Sequence, residues 1–555
     1  MTVRKVLFPV LAVGVVGLLS ATVPATAAAH PLTLRTVKLA TSSGISEPRV
    51  AVGPHDIRYV VTNAGSANDI GIGAETVYRS ADGIHWKKTA GQPTDQSEAT
   101  TDVDIVTMHT GRVLTSELDY GGINFRTQYS DDGGKTWTES VGNTYADTDR
   151  QWYAVGPDDP ATHKPRVYLL FHNLLSGVLQ HNMFVATSTD GGATFGPPVP
   201  VATPGQQDYL DLQCADSGGP SNIMTDKRTG RVFVVFGTRS SPVGGCGGQP
   251  PEVNVVAANR VWVVSADAAQ TRIPGMWKPH LAVNDTGPPA HIVGMQLAPG
   301  ALDSAGNVYV AYPESVHDYP NYDGGAIKVV HASGRHLDSW SKPTVVAKPG
   351  GAGNILPHIV AGAPGRVDVA WYHGVPVQGH KPDWFSYVAQ SLDALTARPH
   401  WKSLRLSSVI TEHNATASEL MGACLQGTQA VLNGFACSRS TDVNGIAIDS
   451  CGRLTVVWPA QANLRTDATY VSQQTGGPTL LPCRTSASGG SVTVTGGSGG
   501  GSAGSSGGGS SKTGTASGSV AGLASTGGRP VLAIVGLVLV AAAGVLLGLR
   551  HRADG

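Results

Sequence analysis

The stretch Ser130-Asp131-Asp132-Gly133-Gly134-Lys135-Thr136-Trp137 decides the fold, because two further copies of it occur in the chain. These are Ser80-Ala81-Asp82-Gly83-Ile84-His85-Trp86 and Ser188-Thr189-Asp190-Gly191-Gly192-Ala193-Thr194-Phe195. Copies that recur at a spacing of roughly fifty residues indicate an array of similar structural units rather than one ordinary core.

The residue types in this motif suit a tight turn between two strands. Ser and Asp side chains hydrogen-bond the backbone of the turn they occupy, and Gly supplies a backbone with positive φ. The aromatic residue then enters the packing beside the sheet. We therefore interpret the three aspartates as turn-capping groups in preference to catalytic ones. The motif residues are Ser80, Asp82 and Trp86, then Ser130, Asp132 and Trp137, then Ser188, Asp190 and Phe195.

These motifs resemble the Asp-box, or bacterial neuraminidase repeat, of the sialidase-like β-propeller superfamily. The resemblance covers residues of about 32 to 484, and the first copy of the motif is one residue short. It implies an all-β propeller in which each Asp-box lies on the outer turn of a blade, away from the active site. Typical members with sialidase activity have six blades.

A second repeated signal precedes the Asp-boxes and allows the blades to be counted. It is a turn residue, often Gly-Arg, followed by β-branched or aromatic residues that are typical of a strand. Residues 32–39 read as one more strand, which would close the ring by joining the two ends of the chain. We predict seven blades, with six as the alternative because typical sialidases have six; the long last interval is the weak point of the count. The repeats begin at residues 57, 111, 165, 230, 306, 365 and 452.

The first 29 residues have the pattern of a secretory signal peptide. Arg4 and Lys5 precede an apolar run from Val6 to Leu19, and small residues around Ala27 offer cleavage sites. We expect the mature chain to begin near residue 30 and the propeller to occupy residues 30–484. A membrane anchor is the less favoured interpretation, because the apolar run is short.

The other end of the chain reads as three segments. Residues 485–522 are almost entirely Gly, Ser, Thr and Ala and cannot bury a core. Residues 531–549 are apolar or small, just enough for a transmembrane helix, and a basic tail follows. With Leu523-Ala524-Ser525-Thr526-Gly527 before them, residues 523–555 resemble a Gram-positive cell-wall sorting signal in which Ala524 replaces the usual Pro.

That resemblance implies that a sortase cuts between Thr526 and Gly527 and joins Thr526 to peptidoglycan, after recognising a motif that starts at Leu523. Before this processing the chain would be held in the membrane by its C-terminal helix. The alternative is a plain C-terminal membrane anchor. Either arrangement places the folded region outside the cell, so we expect a secreted, surface-anchored protein.

Composition narrows the class of partner. The formal net charge is −1 and only 14% of the residues are charged, with no basic run in the folded region. Nucleic acid is therefore excluded as a partner on electrostatic grounds. An even number of cysteines in an exported chain favours disulfides, and nearest-neighbour closure suggests the pairs 214–246, 424–437 and 451–483. The six are Cys214, Cys246, Cys424, Cys437, Cys451 and Cys483.

A ligand site is expected at one end of the central channel, where the innermost strands begin. Arg49 and Arg150 could serve there as anion-binding forks. The alternative is that the polar residues pair with one another and stiffen the channel. Converging oxygens could also hold Ca²⁺, but no loop has a known calcium spacing, so no metal or other cofactor is assigned. The candidate pocket residues are Arg49, Asp102, Asp149, Arg150, Asp208, Asp211, His291 and His358.

The resemblance also states what a sialidase would need: three arginines on the substrate carboxylate, a Tyr–Glu nucleophile pair and an Asp acid. Arg49 stands where the family has its first arginine, but in the context Glu-Pro-Arg-Val. Tyr387 and Glu314 are available in later blades without a matching motif, so the catalytic residues remain unassigned. Asp102 and Asp104, with Asp208 and Asp211, are candidates for the paired aspartates of a different glycoside hydrolase.

The sequence therefore favours an anchored propeller that binds an extracellular glycan or protein. Two alternatives stay open: an exo-sialidase or other glycoside hydrolase, and a non-catalytic propeller that displays loops to a partner. A fold of this kind is reused for many functions, so the architecture alone does not choose among them.

Overall fold

The described part of the chain folds into a ring of seven antiparallel sheets, with almost no helix. The prediction of a seven-bladed β-propeller is confirmed, and the alternative of six blades is wrong. Each sheet has four strands except the fifth, which has five. The computed structural model describes residues 31–42, 47–62, 74–93, 100–119, 125–142, 148–173, 181–213, 220–238, 258–285, 292–293, 298–315, 325–417, 420, 445–463 and 466–483.

The first four blades follow the chain in order, each with its innermost strand first. Blade 1 contains β2 (Arg49–Val52), β3 (Arg58–Thr62), β4 (Thr76–Ser80) and β5 (Lys87–Lys88). Blade 2 contains β6 (Thr100–Thr107), β7 (Val113–Asp119), β8 (Phe125–Ser130) and β9 (Thr138–Glu139). Blade 3 contains β10 (Thr148–Asp158), β11 (Pro165–Asn173), β12 (Met183–Ser188) and β13 (Val199–Pro200). After a short helix, α1 (Gln207–Leu212), blade 4 contains β14 (Pro220–Thr225), β15 (Val232–Thr238), β16 (Arg260–Ala266) and β17 (Lys278–Asn284).

The last three blades complete the ring. Blade 5 contains β18 (Ile292–Val293), β19 (Gly300–Leu302), β20 (Asn307–Ser315), β21 (Ala326–Ser333) and β22 (Thr344–Ala347). Blade 6 contains β23 (Gly353–Ala361), β24 (Val367–Val377), β25 (His380–Ser391) and β26 (Lys402–Arg405). Blade 7 contains β27 (Gly445–Ile448), β28 (Leu454–Asn463), β29 (Thr466–Gly476) and β1 (Thr33–Ser42).

The hydrophobic core lies between neighbouring blades. Strand β15 is buried along its whole length because both faces of its sheet are covered, and its sequence is accordingly a run of β-branched and aromatic residues. Leu170 of blade 3 and Val234 of blade 4 belong to one such cluster, together with Trp277. Each interface is thus filled by side chains from two sheets.

The ring closes as the sequence predicts. Strand β1, from the N-terminal end of the described chain, pairs antiparallel with β29 and becomes the outermost strand of blade 7. This pairing gives the last blade the strand that its own segment lacks. Cys451 and Cys483 form a disulfide beside this closure, which is one of the three expected pairs. The other four cysteines lie outside the described residues.

The antiparallel order gives the propeller two distinct ends. Each innermost strand begins at one end, so the turn after it and the turn between the third and fourth strands both lie at the other. The Asp-box turns connect the third and fourth strands of their blades. Cys451 lies in the turn between β27 and β28, the first and second strands of blade 7, and is therefore at the same end. The starts of the innermost strands therefore gather at the end of the channel opposite the Asp-boxes. We call the two ends the strand-start end and the Asp-box end.

No helix in the described part of the chain is long and apolar enough to cross a membrane. The signal peptide, the linker, the sorting motif and the predicted span at 531–549 all lie outside the described residues. Those assignments stay predictions from the sequence.

Candidate functional site

The Asp-box carboxylates hold their own turns. In blade 3, Asp190 Oδ1 accepts hydrogen bonds from the Thr194 N–H at 2.9 Å and the Ser188 hydroxyl at 2.7 Å. The Asp132 carboxylate accepts the N–H groups of Lys135 and Thr136 in the same way. These bonds lower the pKa of Asp132, led by the Thr136 N–H. The geometry is that of turn capping, and these turns lie at the Asp-box end of the ring, opposite the starts of the innermost strands.

A β-bulge interrupts the innermost strand of several blades near its start. The register with the second strand shifts between Thr100 and Val103 in blade 2, and between Asp149 and Trp152 in blade 3. Similar shifts occur in β14 and β23. A bulge re-aims the side chain that it carries and is common beside functional sites. In blade 3 the bulge contains Arg150, whose φ of 60° is unusual for a residue with a side chain.

Arg49 and Trp152 meet across the strand-start end of the channel. The Arg49 guanidinium carbon lies 4.1 Å from the centroid of the Trp152 ring, a cation–π arrangement between blades 1 and 3. Trp152 is only 3% exposed, so the arginine covers a ring that the fold already buries. The open aromatic platform that would serve direct stacking of a sugar is therefore not provided by this tryptophan.

Gly445 of blade 7 lets Arg49 reach this position. A Cβ atom at Gly445 would lie 2.9 Å from the Arg49 Cα and 2.8 Å from the Val50 nitrogen. These are backbone atoms, which cannot move without shifting strand β2. The close approach of two backbones therefore requires glycine here.

Carboxylates from blades 1 to 3 surround the two arginines. Arg49 lies in the field of Asp104, Glu47 and Asp102. Arg150 Nε is 3.6 Å from Asp102 Oδ2 and 3.9 Å from Asp149 Oδ2. The structure thus places both predicted anion-binding forks against acidic side chains. This is the mutual pairing that the sequence left open as the alternative.

The carboxyl groups in this cluster differ in proton affinity. Burial raises the pKa of Asp102 to about 6, against the opposing charge of Arg150. Burial likewise raises the pKa of Asp104 to about 6, although Arg49 and the Tyr153 N–H favour its ionised form. Burial would also raise the pKa of Asp149, but hydrogen bonding to His172 and the charge of Arg150 outweigh it and hold that pKa below its usual range.

Asp104 has a structural role as well. Its Oδ2 accepts the N–H of Tyr153 at 2.7 Å, which links the innermost strands of blades 2 and 3. Asn222 and Gly300 make the corresponding link between blades 4 and 5 through two hydrogen bonds. Asp104 therefore also contributes to the contact between blades 2 and 3.

A chain of three groups runs outward from the cluster through blade 3. Asp149 Oδ2 is 3.7 Å from His172 Nε2, and His172 Nδ1 is 3.0 Å from His181 Nε2. The His172 side chain is fully buried, whereas His181 is partly exposed. The arrangement connects the carboxylate of Asp149 to the connection between strands β11 and β12.

Asp208 and Asp211 do not lie at the start of an innermost strand, where the sequence placed them. Both lie on α1, which forms because Tyr209 and Leu212, three residues apart, pack on one face into the core between blades 3 and 4. Asp211 accepts two hydrogen bonds from Arg260 and one from Trp262, which fasten the helix to blade 4. Neither Asp208 oxygen accepts a hydrogen bond that meets ordinary geometry from the described residues, and burial raises the pKa of Asp208 to about 6.

The remaining predicted residues lie elsewhere. His358 is buried inside β23, five residues past the start of that strand. His291 lies outside the described residues. Tyr387 packs on Trp371 and His373 in blade 6, while Glu314 pairs with Lys328 in blade 5. The structure gives these last two separate partners in separate blades.

Two members of the cluster, His172 and His181, were not singled out in the sequence. His172 lies near the end of β11 and His181 lies two residues before β12, where no repeated motif marks them. Gln151 and Trp152 follow Arg150 directly, and only the bulge decides that both turn inward. A polar residue beside the start of an innermost strand is a signal that the sequence does contain, but it does not distinguish residues of the cluster from other polar residues.

Among the described residues, no group of three or more His, Cys, Asp or Glu side chains is arranged to hold a metal ion.

No family model matches the chain, and no curated protein matches it. Solved structures do resemble it, and three of them, each at low identity, are described below.

A polysaccharide lyase of the PL25 ulvan lyase family matches with a TM-score of 0.47 and 12% identity, over 78% of this chain and 95% of the other. The α-L-arabinofuranosidase Arb93A of Fusarium graminearum matches with a TM-score of 0.39 and 11% identity, over 67% and 99%. A Hadza microbial sialidase matches with a TM-score of 0.37 and 11% identity, over 74% and 71%. At these values the likenesses carry no argument about what this chain binds or does.

Proposed function

We propose that the protein is an exported, surface-anchored propeller that binds an extracellular glycan at the strand-start end of its channel. Export and anchoring are supported by the sequence alone, through the signal peptide pattern and the sorting-signal resemblance of residues 523–555. The glycan site is supported by the side chains that the first three blades bring together.

The observation that carries the proposal is a set of buried polar atoms that form no hydrogen bond to the described residues. Arg49 Nε, Asp102 Oδ2 and Gln151 Oε1 come from three successive innermost strands and form no hydrogen bond to the described residues. Gln151 Nε2 donates to the Asp102 carbonyl oxygen at 2.9 Å, so two of these residues are direct neighbours. Leaving such atoms unpartnered costs about 1–3 kcal/mol each, which a ligand that supplies partners would offset.

These three atoms include a hydrogen-bond donor and two acceptors, because arginine only donates and the carboxylate and amide oxygens only accept. A sugar hydroxyl does both, and adjacent hydroxyls on one ring present several such groups within a small area. An apolar ligand would leave the set unsatisfied. A saccharide therefore matches the site better than an apolar ligand does.

Titration calorimetry of the full chain in mild detergent against a panel of oligosaccharides would test this proposal. Asp102→Asn preserves the shape of the side chain and should weaken binding by about tenfold or more, about 1.4 kcal/mol. Arg49→Ala should do the same. Arg335→Ala, which changes an exposed arginine in blade 5, is the matched control and should have no effect. If no saccharide binds, or if binding ignores both changes in the cluster, the glycan site is wrong.

A second candidate is glycoside hydrolysis, favoured by the unequal proton affinities of Asp102 and Asp149. Pairs of titratable groups whose pKa values are driven apart are typical of acid–base sites. The two carboxyl groups interact directly, however, which leaves no room for a glycosidic bond between them. Hydrolysis would therefore need another carboxyl group as partner, and Asp104 is the nearest candidate along the strand. Product analysis by mass spectrometry, with Asp104→Asn beside Asp102→Asn, separates hydrolysis from binding.

A further inference from the structure

The polar residues gathered at the strand-start end of the channel, called the strand-start cluster below, contain more acidic groups than basic ones. Four carboxyl groups from three blades face two guanidinium groups. Arg49 lies in the field of Asp104, Glu47, Asp102 and Arg150, and Asp102 lies in the field of Arg150 and Asp149. A ligand that enters this cluster therefore meets an excess of negative charge when the carboxyl groups are ionised. The members are Glu47, Asp102, Asp104 and Asp149, with Arg49 and Arg150.

Neither arginine is free to receive a ligand carboxylate. Arg150 lies between Asp102 and Asp149, at 3.6 and 3.9 Å. Arg49 lies over the Trp152 ring and in the field of Asp104, the largest of the charges that favour its ionised form. An acidic sugar would have to displace these contacts and would then stand beside four carboxyl groups. Like charges placed together at a binding site repel each other, so the cluster disfavours an acidic ligand.

The acceptor atoms in the cluster point to a donor-rich ligand. Asp102 is 5% exposed and Gln151 is fully buried, yet Asp102 Oδ2 and Gln151 Oε1 accept no hydrogen bond within the described structure. The nearest cation to Asp102 Oδ2 is Arg150 Nε, at a distance too long for a hydrogen bond. An ammonium group carries three donors and a positive charge, which suits both atoms.

We propose that the site selects a saccharide with an unacylated amino group, whose ammonium binds beside Asp102 and Gln151 while a neighbouring hydroxyl accepts from Arg49. This inference rests on the proposed glycan-binding function and names its ligand class. A lysine side chain offers the ammonium alone and leaves Arg49 Nε without an acceptor. A saccharide supplies both groups on one rigid ring.

The cluster also predicts how binding depends on acidity. Asp102 is faced by Glu47 and Arg49 from blade 1 and by Asp149 and Arg150 from blade 3, with His172 behind Asp149. Protonation of Asp102 removes the charge that attracts the ammonium. Binding should therefore weaken on the acid side, and this loss should be absent in Asp102→Asn, which cannot titrate.

The test compares four probes by calorimetry on the full chain: a glucosamine tetrasaccharide, its fully N-acetylated counterpart, sialyllactose and tetralysine. At about pH 6.5 the amino sugar should bind at least about tenfold more tightly than each of the others. Asp102→Asn should abolish that preference. Asp338→Asn, an equivalent change at an exposed aspartate of blade 5, should leave it intact.

Each other result overturns a defined part of the inference. Equal binding of the amino and N-acetylated tetrasaccharides, or tighter binding of sialyllactose, refutes the amino-sugar class while glycan binding stands. Tetralysine as tight as the amino sugar means that the cluster recognises charge and not a saccharide. Binding of no saccharide removes the proposed function and this inference together.

Discussion

Arg58 of the first blade and Asp449 of the seventh form a buried ion pair, with 2.8 Å between Nη2 and Oδ2. Asp56, two residues before Arg58, also accepts two hydrogen bonds from Ser450. These contacts join the two ends of the ring at the Asp-box end, beside the disulfide of Cys451. Closure of the propeller therefore depends on more than the pairing of β1 with β29.

Removal of Arg58 should destabilise the fold. Arg58→Ala leaves a fully buried Asp449 with Arg453 as its remaining cationic partner, so the loss should approach but not exceed about 3–5 kcal/mol, the cost of a buried charge left without a partner. Denaturant unfolding of the full chain measures the loss. Arg228→Ala, which breaks an ion pair whose arginine is half exposed, should cost about 1 kcal/mol or less. Equal effects of the two changes would mean that the closure pair is energetically ordinary.

The disulfide should contribute stability through the loop that it closes. Cys451 and Cys483 are 32 residues apart, and a loop of that length corresponds to about 3–4 kcal/mol in the chain-entropy description. The double change Cys451→Ser with Cys483→Ser should lower the free energy of unfolding by about that amount. Reduction should move the unfolding transition of the wild-type protein in the same direction, and by more than that of the double variant, which keeps only the other two expected pairs. A double variant as stable as the wild type would contradict this role.

Asp368 predicts a dependence of stability on pH. It is fully buried on β24, and burial raises its pKa to about 7, with Gln390 acting weakly in the opposite direction. The folded state thus holds the proton more tightly than the unfolded state does. The stability associated with this group is fully present below the unfolded pKa near 4 and is lost as pH rises to about 7.

Asp368→Asn should remove that dependence, because the amide does not ionise. The variant should be more stable than the wild type at about pH 8, by up to about 4 kcal/mol, and closer to it at about pH 4. Denaturant unfolding at the two pH values, on both proteins, gives the comparison. If the variant loses stability equally at both, Asp368 makes a contact that the structure does not reveal.

Asp190→Ala should separate turn capping from ligand chemistry. Three hydrogen bonds from Ser188 and Thr194 would be lost, which should lower stability by about 1–2 kcal/mol at this half-exposed turn. Its burial is outweighed by these donors, so the pKa is lowered and the contribution disappears as pH falls through that value. Calorimetric binding of a saccharide should be unchanged. A loss of binding without a loss of stability would support a direct role for the Asp-box.

Gly445→Ala should affect the ligand site without contributing a side chain to it. The new methyl group would collide with the backbone of Arg49 and Val50 and push strand β2 away from blade 7. Saccharide binding should then weaken several-fold, together with a loss of stability. Gly350→Ala is the control, since a Cβ atom there meets open space. Unchanged binding in Gly445→Ala would show that the position of Arg49 does not limit affinity.

The architecture was largely accessible from local sequence signals. A turn motif such as Ser130 to Trp137 contains its own hydrogen-bond partners, so its conformation is decided within eight residues. Strand repeats after Gly-Arg turns gave the correct number of blades, and residues 32–39 were recognised as the missing outer strand because the last repeat lacked one. These are local or periodic features, which a chain displays without reference to distant partners.

The helix α1 shows where local reasoning fails. Asp208 and Asp211 resemble the other polar residues that precede innermost strands, yet they belong to a helix that packs Tyr209 and Leu212 between two blades. The true innermost strand begins at Pro220. Only the shape of the space between blades 3 and 4 distinguishes the two possibilities.

The sequence by itself determined a seven-bladed ring, the place of its turns and the strand that closes it, because each of these depends on short-range chemistry repeated along the chain. Tertiary structure alone decided which polar groups share the channel. Arg49, Asp102 and Gln151 are separated by about fifty residues from blade to blade, and the bulges in β6 and β10 set which way the side chains of Asp102 and Gln151 point. Their charges and proton affinities are properties of that shared burial, which no single stretch of the chain contains.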